Sequence, residues 1–409
     1  MPPRLHVAIV GYGTAGQAAA LLLSRDDHRV EVFEQAAELG PVGAGFLLQP
    51  VGMHVLWELG VFDAALAHGA RIERLYGENA SGRAVMEMRY SALDPRLFGL
   101  GMQRGALFSL LANAWPRSGE VRRGQRIVGV SEDGRRLKDA SGAEFGPYDL
   151  VIAADGSASA LRGCVGTAQL DRAYPWGALW CLLPAAEWEY ARELRQRYVA
   201  ARKMIGILPV GTRPGDATPR LSFFWSLRTC DFDAWRECGM APWLEEIGAL
   251  WPQARACMHD VLEAGQLQRA SYRDAVLRTW HRGRLVLLGD AAHSMSPQLG
   301  QGVNMALMDA LALRDALRAE PHPDAALLQY ASARRAHVRI YQFWSRWLTP
   351  LFQSERDTVA RLRDRALLPL GRMPGSRGQM LRVLSGLQHG WFGRLRLSPQ
   401  FLERLGAQR

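Results

Sequence analysis

The chain has 409 residues, of which 48% are hydrophobic, and this suffices for a large core divided over two or three domains. Neither a low-complexity tract nor a fixed-period repeat is visible, which excludes a disordered protein and a solenoid. The longest apolar stretch near the N-terminus, residues 18–23, is too short to span a bilayer. It also lacks a basic segment before it, so we expect a cytoplasmic protein, with peripheral membrane contact as an alternative.

The net charge of +10 is concentrated at the C-terminal end of the chain. Residues 331–409 contain 15 arginines against four acidic side chains, whereas the first 330 residues are nearly neutral. Aromatic side chains are interspersed with these arginines: Tyr341, Phe343, Trp344, Trp347, Phe352, Trp391 and Phe392. The segment favours contact with an anionic membrane, a carrier protein or an anionic substrate. The alternative is a solvated helical face whose aromatic residues pack on the body of the protein.

The cysteines form no recognisable framework: Cys164, Cys181, Cys230, Cys238 and Cys257. Their number is odd, they contain no C-x-x-C pair, and they lack a histidine at metal-ligand spacing. We therefore expect no metal site and interpret these cysteines as buried small apolar residues. We expect no nucleic-acid partner either, because no nucleic-acid-binding module is recognisable.

The first half of the chain opens with a β-α-β unit. In chain order we predict a strand over 5–10, a helix ending near residue 25, a strand over 30–33, helices over 52–59 and 104–114, and strands over 126–131 and 148–153. The region from about 175 to 280 differs, since strands at 178–183, 204–209 and 221–227 alternate with Pro/Gly turns and two helical stretches. We interpret it as a mostly antiparallel sheet with its own apolar face.

Further on, a buried strand over 285–288 leads to a helix over 300–318, and the rest of the chain is predicted to be helical, with breaks at Pro350, Pro369 and Pro374. The order of elements predicts an α/β protein with three parts. These are a doubly wound, Rossmann-like nucleotide-binding domain (1–75, 100–172 and 273–330), an inserted substrate-binding β-sheet domain (76–99 and 173–272), and a basic, aromatic-rich helical C-terminal segment (331–409).

A glycine motif follows the first strand: Gly11-Tyr12-Gly13-Thr14-Ala15-Gly16. The first glycine permits a tight turn, the second lets the backbone approach a pyrophosphate, and the third allows close packing of helix on strand. Glu34 ends the second strand, where a carboxylate accepts a hydrogen bond from an adenosine ribose hydroxyl. In this context the motif predicts a dinucleotide cofactor, without distinguishing FAD from NAD.

Two further segments resemble one family. Residues 151–162, VIAADGSASALR, resemble the DG motif of the para-hydroxybenzoate hydroxylase-like, FAD-dependent aromatic hydroxylases (group A flavoprotein monooxygenases). Residues 283–304, GRLVLLGDAAHSMSPQLGQGVN, closing on Asp309-Ala310, resemble the GD motif of the same family. The three motifs occur in the family's order and span about three quarters of the chain.

The resemblance implies FAD as cofactor and assigns its contacts. Asp290 accepts a hydrogen bond from a ribitol hydroxyl, Arg104 reaches the pyrophosphate, and Asp155 serves both FAD and the nicotinamide donor. Pro297 lies against the isoalloxazine ring. The segment at the flavin pyrimidine edge comprises Gly300, Gln301, Gly302, Val303 and Asn304, where a helix N-terminus favours the negative charge of a reduced flavin.

The implied reaction uses NADH or NADPH to reduce FAD, which then reacts with O₂ to a flavin C4a-hydroperoxide. One oxygen atom is transferred to an aromatic or apolar polycyclic or isoprenoid small molecule, by hydroxylation or epoxidation, as in secondary metabolism. The flavin performs the chemistry, so no catalytic residue is assigned. His293 beside the ring is a candidate base, and the alternative is a histidine hydrogen-bonded within the motif turn.

Two other functions remain open on the same motifs. One is a flavin-dependent reductase or dehydrogenase without oxygen insertion, and the other is a non-catalytic flavoprotein that binds a ligand or a membrane.

Departures from the family pattern concern the residues expected to contact the cofactor. Ala153 replaces a usual glycine, Gln35 replaces a frequent arginine, and no arginine occurs between Glu34 and Arg71.

The middle region supplies the candidate substrate residues. Trp176, Trp180, Phe223 and Trp225 are predicted to line an aromatic cavity. The alternative is that these alternating aromatic residues form the ordinary core of a sheet. Charged residues are few in these strands, which favours an apolar substrate.

Overall fold

The computed structural model describes residues 3–40, 43–117, 120–185 and 188–408. The strands are β1 (His6–Val10), β2 (Arg29–Phe33), β3 (Gly45–Leu48), β4 (Ala70–Ile72), β5 (Arg74–Asn79), β6 (Ala84–Arg89), β7 (Gly99–Gln103), β8 (Ile127–Val130), β9 (Leu137–Asp139), β10 (Glu144–Phe145), β11 (Leu150–Ala153), β12 (Leu170–Pro184), β13 (Glu193–Val199), β14 (Lys203–Arg213), β15 (Asp216–Arg228), β16 (Gln268–Val276), β17 (His281–Arg282), β18 (Leu285–Leu287), β19 (Gln388–His389) and β20 (Gly393–Arg394). The α-helices are α1 (Thr14–Arg25), α2 (Pro50–Glu58), α3 (Phe62–His68), α4 (Arg104–Ala114), α5 (Phe232–Cys238), α6 (Met240–Leu250), α7 (Pro252–Ala256), α8 (Asp290–His293), α9 (Gly302–Ala319), α10 (Pro323–Phe352), α11 (Asp357–Arg372), α12 (Pro374–Leu384) and α13 (Pro399–Gly406).

The nucleotide-binding part is a five-stranded sheet in the order β17-β18-β11-β1-β2. All pairs are parallel except β17 with β18, and the alignment of Val10 with Ala153 and Phe33 brings the carboxyl ends of three strands to one edge. The chain leaves β1 through Gly11, whose φ of +100° suits glycine. A Cβ at Gly11 would also collide with the Ala154 carbonyl, so glycine lets the two strand ends approach each other.

The two faces of this sheet are covered differently. Ile9 lies on the face toward α1, because a Cβ at Gly16 of that helix would be 3.4 Å from Ile9. On the other face Phe33 packs against Phe145 of β10, with ring centroids 5.1 Å apart. The strands β8, β9 and β10 form a small antiparallel sheet there. The prediction of a doubly wound sheet is therefore corrected, since an antiparallel sheet replaces helices over β2.

The second large element is a seven-stranded sheet in the order β16-β12-β15-β14-β13-β5-β6. It is mostly antiparallel, as predicted, and the exception is the parallel pair of β13 with β5. Its strands begin at Arg74 and Leu170 and end at Val276, slightly outside the predicted limits of the substrate domain. Those domain limits stay a proposal.

Each face of the seven-stranded sheet has its own partner. One face, with Phe223 and Trp225, packs under α6 and forms a separate apolar cluster. The other face approaches β3 and β7, where Gly45 lies against Val210 and Ser222. The cleft between the two sheets therefore lies on the second face.

The C-terminal segment is mainly helical and packs against helices α2 and α3 and against the seven-stranded sheet. Phe401 of α13 packs in the core against His54 and Phe62, and Arg363 of α11 stacks over Tyr198 of the seven-stranded sheet. Two predicted breaks are wrong, because Pro350 and Pro369 lie within the last turns of α10 and α11. A proline near a helix C-terminus removes only one hydrogen bond, so the helix continues briefly past it.

The cysteines are less uniformly buried than predicted. Cys181 and Cys257 are buried, but Cys164 is half-buried and Cys230 and Cys238 are exposed. Cys230 lies in the turn two residues before α5, and Cys238 is the last residue of that helix. Across the described part of the chain, no helix is both long and apolar enough to cross a membrane.

Candidate cofactor and substrate site

The glycine loop presents the N-terminus of α1 to the carboxyl edge of the five-stranded sheet. Its first turn has no side-chain cap, so the N–H groups of that turn and the positive end of the helix dipole remain available to an anion. A Cβ at Gly13 would meet no atom within 4 Å, which leaves open space above these groups. This cradle suits a diphosphate.

Glu34 lies beside the same loop. Its Oε2 accepts a hydrogen bond from the Tyr12 N–H at 2.8 Å, and its Oε1 accepts one from the Ala36 N–H at 2.9 Å. These bonds fix the carboxylate at the end of β2, where the sequence predicts a ribose contact. That contact stays a prediction.

Arg162 joins the two family motifs, and the sequence reasoning assigned it no role. Its buried guanidinium donates through Nη2 to the Asp290 carbonyl at 2.7 Å and through Nε to the Ala291 carbonyl at 2.8 Å. The same side chain approaches Asp171 at 3.3 Å. Arg162 is the last residue of the DG motif over 151–162, and this position was the one signal in the sequence for its role.

Asp155 has one satisfied and one free carboxylate oxygen. Oδ2 accepts a hydrogen bond from the Ala160 N–H at 2.9 Å. Oδ1 is buried and has no partner among the described residues. A buried carboxylate oxygen without a partner is costly, which supports its use by a bound group.

Three polar side chains meet where the two sheets face each other. Arg104 begins α4 next to Gly43. Its guanidinium lies close enough to Asp290 and Tyr272 for both side chains to influence its pKa. Burial lowers the pKa of Arg104, and the neighbouring Asp290 opposes that shift. The side chains of Arg104 and Asp290 are nevertheless open to solvent on one side. A cation and a carboxylate at the edge of a cleft suit the phosphate and polyol parts of a dinucleotide.

The loop before α9 offers backbone groups and one side-chain oxygen. A Cβ at Gly300 would meet nothing within 4 Å, and α9 begins at Gly302 without a side-chain cap. Asn304 Oδ1 accepts from the Gln49 N–H at 2.8 Å, so that side chain is already held by the protein. The Gln301 amide nitrogen donates to the Leu384 carbonyl at 2.7 Å, whereas its Oε1 is buried without a partner among the described residues and can accept a hydrogen bond from a bound group.

His293 lies in a buried polar network and not at the surface of the cleft. Its Nε2 donates to Oδ2 of Asp309 at 2.6 Å, while Arg334 Nε donates to Oδ1 at 2.7 Å. Burial alone raises the pKa of Asp309, but His293 and Arg334 together hold it well below its usual range. This geometry favours a structural histidine over a base beside the flavin.

The candidate substrate residues divide between the two faces of the seven-stranded sheet. Trp180 is half-buried on the cleft side, with its ring 5.2 Å from Phe224. Phe223 and Trp225 are buried on the far side, about 6 Å from Trp243 of α6. Their assignment to a substrate cavity is corrected, because successive residues of a strand point to opposite faces. Trp176 is half-buried near Arg228, with its ring 6.0 Å from that guanidinium.

Two tyrosines near the cleft escaped the sequence reasoning. The Tyr272 hydroxyl accepts a hydrogen bond from Trp180 Nε1 at 3.2 Å, and burial raises the pKa of Tyr272 to about 12. Burial also raises the pKa of Tyr174, and the nearby Ser296 and Thr349 hydroxyls oppose that shift. Ser296 directly precedes Pro297, so α10 supports that loop through Thr349. Neither tyrosine lies in a motif, and no local signal could have found them.

Comparison with known proteins shows an FAD-binding family. A family model described as an FAD binding domain matches residues 4–342. The FAD-dependent urate hydroxylase of Mycolicibacterium vanbaalenii is 27% identical over 396 residues, covering 87% of this chain and 95% of the relative. That of Klebsiella oxytoca is 30% identical over 369 residues, covering 82% and 87%. The structure of Klebsiella pneumoniae HpxO complexed with FAD and uric acid has the same fold, with a TM-score of 0.78, 24% identity and coverage of 95% and 98%.

The fold and the cleft define a flavin-binding oxidoreductase. Within that class, the chain belongs to the family of FAD-dependent aromatic hydroxylases. The open cradle at Gly13, the free oxygen of Asp155 and the meeting of Arg104 with Asp290 fit FAD.

Proposed function

We propose that the protein is a monooxygenase that uses NADH or NADPH, O₂ and FAD to hydroxylate or epoxidise an aromatic or apolar polycyclic small molecule. The observation that carries the proposal is an aromatic wall next to the cofactor residues. Tyr272 holds Trp180 by a hydrogen bond on the cleft side of the sheet and lies close to Arg104. Bound FAD supplies the electron transfer from the nicotinamide and the activation of oxygen.

The chain's own residues would bind FAD, orient it and shield its ring from water. The uncapped N-terminus of α1 and Arg104 would hold the diphosphate, and Glu34 and Asp290 would hold the sugar and polyol hydroxyls. The uncapped N-terminus of α9 would stabilise negative charge at the flavin ring. Pro297 begins a short 3₁₀ turn that leads into this segment, and Ser296, Ser345 and Thr349 anchor the turn by hydroxyl hydrogen bonds of 2.7 to 2.8 Å.

An aromatic substrate is supported by the chemistry of the wall. The half-buried ring of Trp180 offers an apolar surface against which a planar substrate can stack, and the buried ring of Phe224 packs against it. Tyr272 adds a hydroxyl at the edge of this surface, and its raised pKa keeps it a neutral hydrogen-bond donor at physiological pH. Relatives named for urate hydroxylation support a small cyclic substrate.

The test is anaerobic mixing of the purified flavoprotein with NADH or NADPH while the visible flavin band is followed. A panel of urate, phenols and polycyclic phenols is added in parallel samples, oxygen is then admitted, and products are weighed by mass spectrometry. We expect one panel member to accelerate bleaching and to become one oxygen atom heavier.

Two outcomes would contradict the proposal. Product formation that does not change when O₂ is removed would identify a reductase or dehydrogenase. Flavin that neither nicotinamide reduces, with or without the panel, would identify a non-catalytic flavoprotein.

A further inference from the structure

The short hairpin of β19 and β20 carries an exposed aromatic tip. The turn contains Trp391, which is 53% exposed, and Phe392, which is 99% exposed. Beneath the turn the buried amide of Gln388 donates to the carbonyls of Gly390 and Trp391 at 2.9 and 3.0 Å. Arg382 in turn donates to Gln388 Oε1 at 3.0 Å. The fold thus holds the turn in place from below while it presents two apolar rings to solvent.

The tip continues into an apolar stripe on α10. The ring of Trp391 lies 4.8 Å from that of Phe343, edge to face. Trp347 lies one turn further along the same face of α10 and is 63% exposed. We call Phe343, Trp347, Trp391 and Phe392 the aromatic patch. Single exposed apolar residues are ordinary, but three exposed rings, Trp347, Trp391 and Phe392, grouped around the half-buried Phe343 mark an interaction site.

Exposed arginines surround the aromatic patch. Arg339 lies one turn before Phe343 on α10, and Arg394 and Arg396 follow the tip on and after β20. None of the three makes an ion pair with another described residue. Asp94 is near Arg394, but Asp94 is already paired with Arg96 at 2.7 Å. The positive charge at the patch is therefore not neutralised within the molecule.

We propose that the aromatic patch and these arginines form a docking surface for an anionic lipid membrane. Tryptophan and phenylalanine side chains partition into the interface of a bilayer, and arginines beside them attract anionic headgroups. Phe392 at the tip is 99% exposed, so its ring is free to insert between lipid headgroups. A second copy of the chain would bring the same positive charge against itself. This docking does not depend on the proposed reaction.

The experiment measures binding of the full-length flavoprotein to vesicles by co-sedimentation. We expect association with vesicles of phosphatidylcholine and phosphatidylglycerol at low salt, little association with pure phosphatidylcholine, and release at high salt. Phe392→Ser should weaken binding at least about fivefold, a loss on the order expected for one interfacial ring. Arg339→Gln combined with Arg396→Gln should weaken it by about 30-fold, at roughly 1 kcal/mol per arginine.

Matched controls separate the patch from general surface effects. Leu262→Ser removes an apolar side chain that is 74% exposed elsewhere on the surface, and Arg123→Gln with Arg136→Gln removes two exposed charges outside the patch. Both controls should bind vesicles as the unchanged protein does. Retained flavin absorbance and far-ultraviolet circular dichroism show that each variant is folded.

Three results would overturn the proposal. These are the absence of binding to anionic vesicles at low salt, an equal loss in Phe392→Ser and Leu262→Ser, and binding of a purified acidic carrier protein in place of vesicles. Tryptophan fluorescence gives a second readout. Emission should shift to shorter wavelength on addition of anionic vesicles, and Trp391→Phe should reduce the shift.

Discussion

Asp309 on α9 receives a 2.6 Å hydrogen bond from His293 of the GD motif, and both side chains are buried. The same oxygen, Oδ2, accepts a hydrogen bond from the Gly289 N–H at 2.8 Å, while Oδ1 accepts from Arg334 of α10 at 2.7 Å. One carboxylate therefore holds the turn that carries Asp290 against two helices. Arg334 also bonds to His337, whose Nε2 donates to the Gly386 carbonyl in the C-terminal segment.

The first prediction concerns the removal of this carboxylate. Asp309→Asn should lower the free energy of unfolding by about 3–5 kcal/mol, because Arg334 stays buried without its counter-charge. Urea unfolding followed by circular dichroism measures the loss. Asp233→Asn is the control, since Asp233 is exposed in its pair with Arg269 and should cost no more than about 1 kcal/mol. Equal losses in the two variants would refute the role of the network.

The second prediction concerns pH. Burial, followed by the charge of Arg334, holds the pKa of His337 well below its usual value; His389 adds to this shift and Asp309 opposes it. The unfolded chain takes up a proton at His337 as pH falls through about 6.5, whereas the folded protein does not. Stability is thus complete above that pH and is lost below it, by up to about 1.4 kcal/mol per pH unit for this residue.

The measurement is the free energy of unfolding between pH 7.5 and 5.5. His337→Gln should show a shallower decline than the unchanged protein, by up to one proton. A decline remains in the variant, because burial also lowers the pKa of His28, His54 and His281. An unchanged slope in His337→Gln would contradict the prediction.

The third prediction separates cofactor binding from stability. The Asp290 carboxylate is exposed and accepts no hydrogen bond from another described residue, so its removal should leave the fold intact. Asp290→Ala should raise the dissociation constant of FAD by about 10- to 100-fold, the effect of one hydrogen bond to a charged group. Flavin release on dilution measures it, with the unfolding midpoint of the apoprotein as control. A variant that retains FAD fully would exclude the assignment.

The fourth prediction uses the two faces of the seven-stranded sheet. Trp225→Ala should cost about 3–5 kcal/mol of stability, because it leaves a cavity in the core beneath Trp243. Trp180→Ala should cost less, because that ring is half-buried, yet it should abolish the acceleration of flavin reduction by the substrate. Denaturation and anaerobic reduction report on the two properties. The prediction fails if Trp225→Ala is the milder change for stability.

Much of the cofactor site could be predicted from the sequence, because each of its motifs is local. A tight turn after a buried strand needs glycine at Gly11, and a carboxylate at the end of the next strand reaches the same edge. The spacing of such residues encodes backbone conformation over a few positions. Local spacing thus predicted the position of Glu34 at the end of β2, whereas the assignment of Asp290 to the cofactor came from the resemblance to the family and stays a prediction.

The tertiary structure decided which surfaces these elements share. The alternation of residues along β15 indicated two faces but not which of them a helix covers. Contact with α6 buried Phe223 and Trp225, whereas Phe224 is buried on the opposite face with Tyr198 and Phe352. The antiparallel sheet over β2 likewise depends on contacts between residues more than 100 positions apart. A sequence determines local geometry through short-range sterics and hydrogen bonds. Which element covers each face of a sheet depends on packing between residues far apart in the chain. Local sequence patterns do not contain this information, so they could not predict the walls of the cleft.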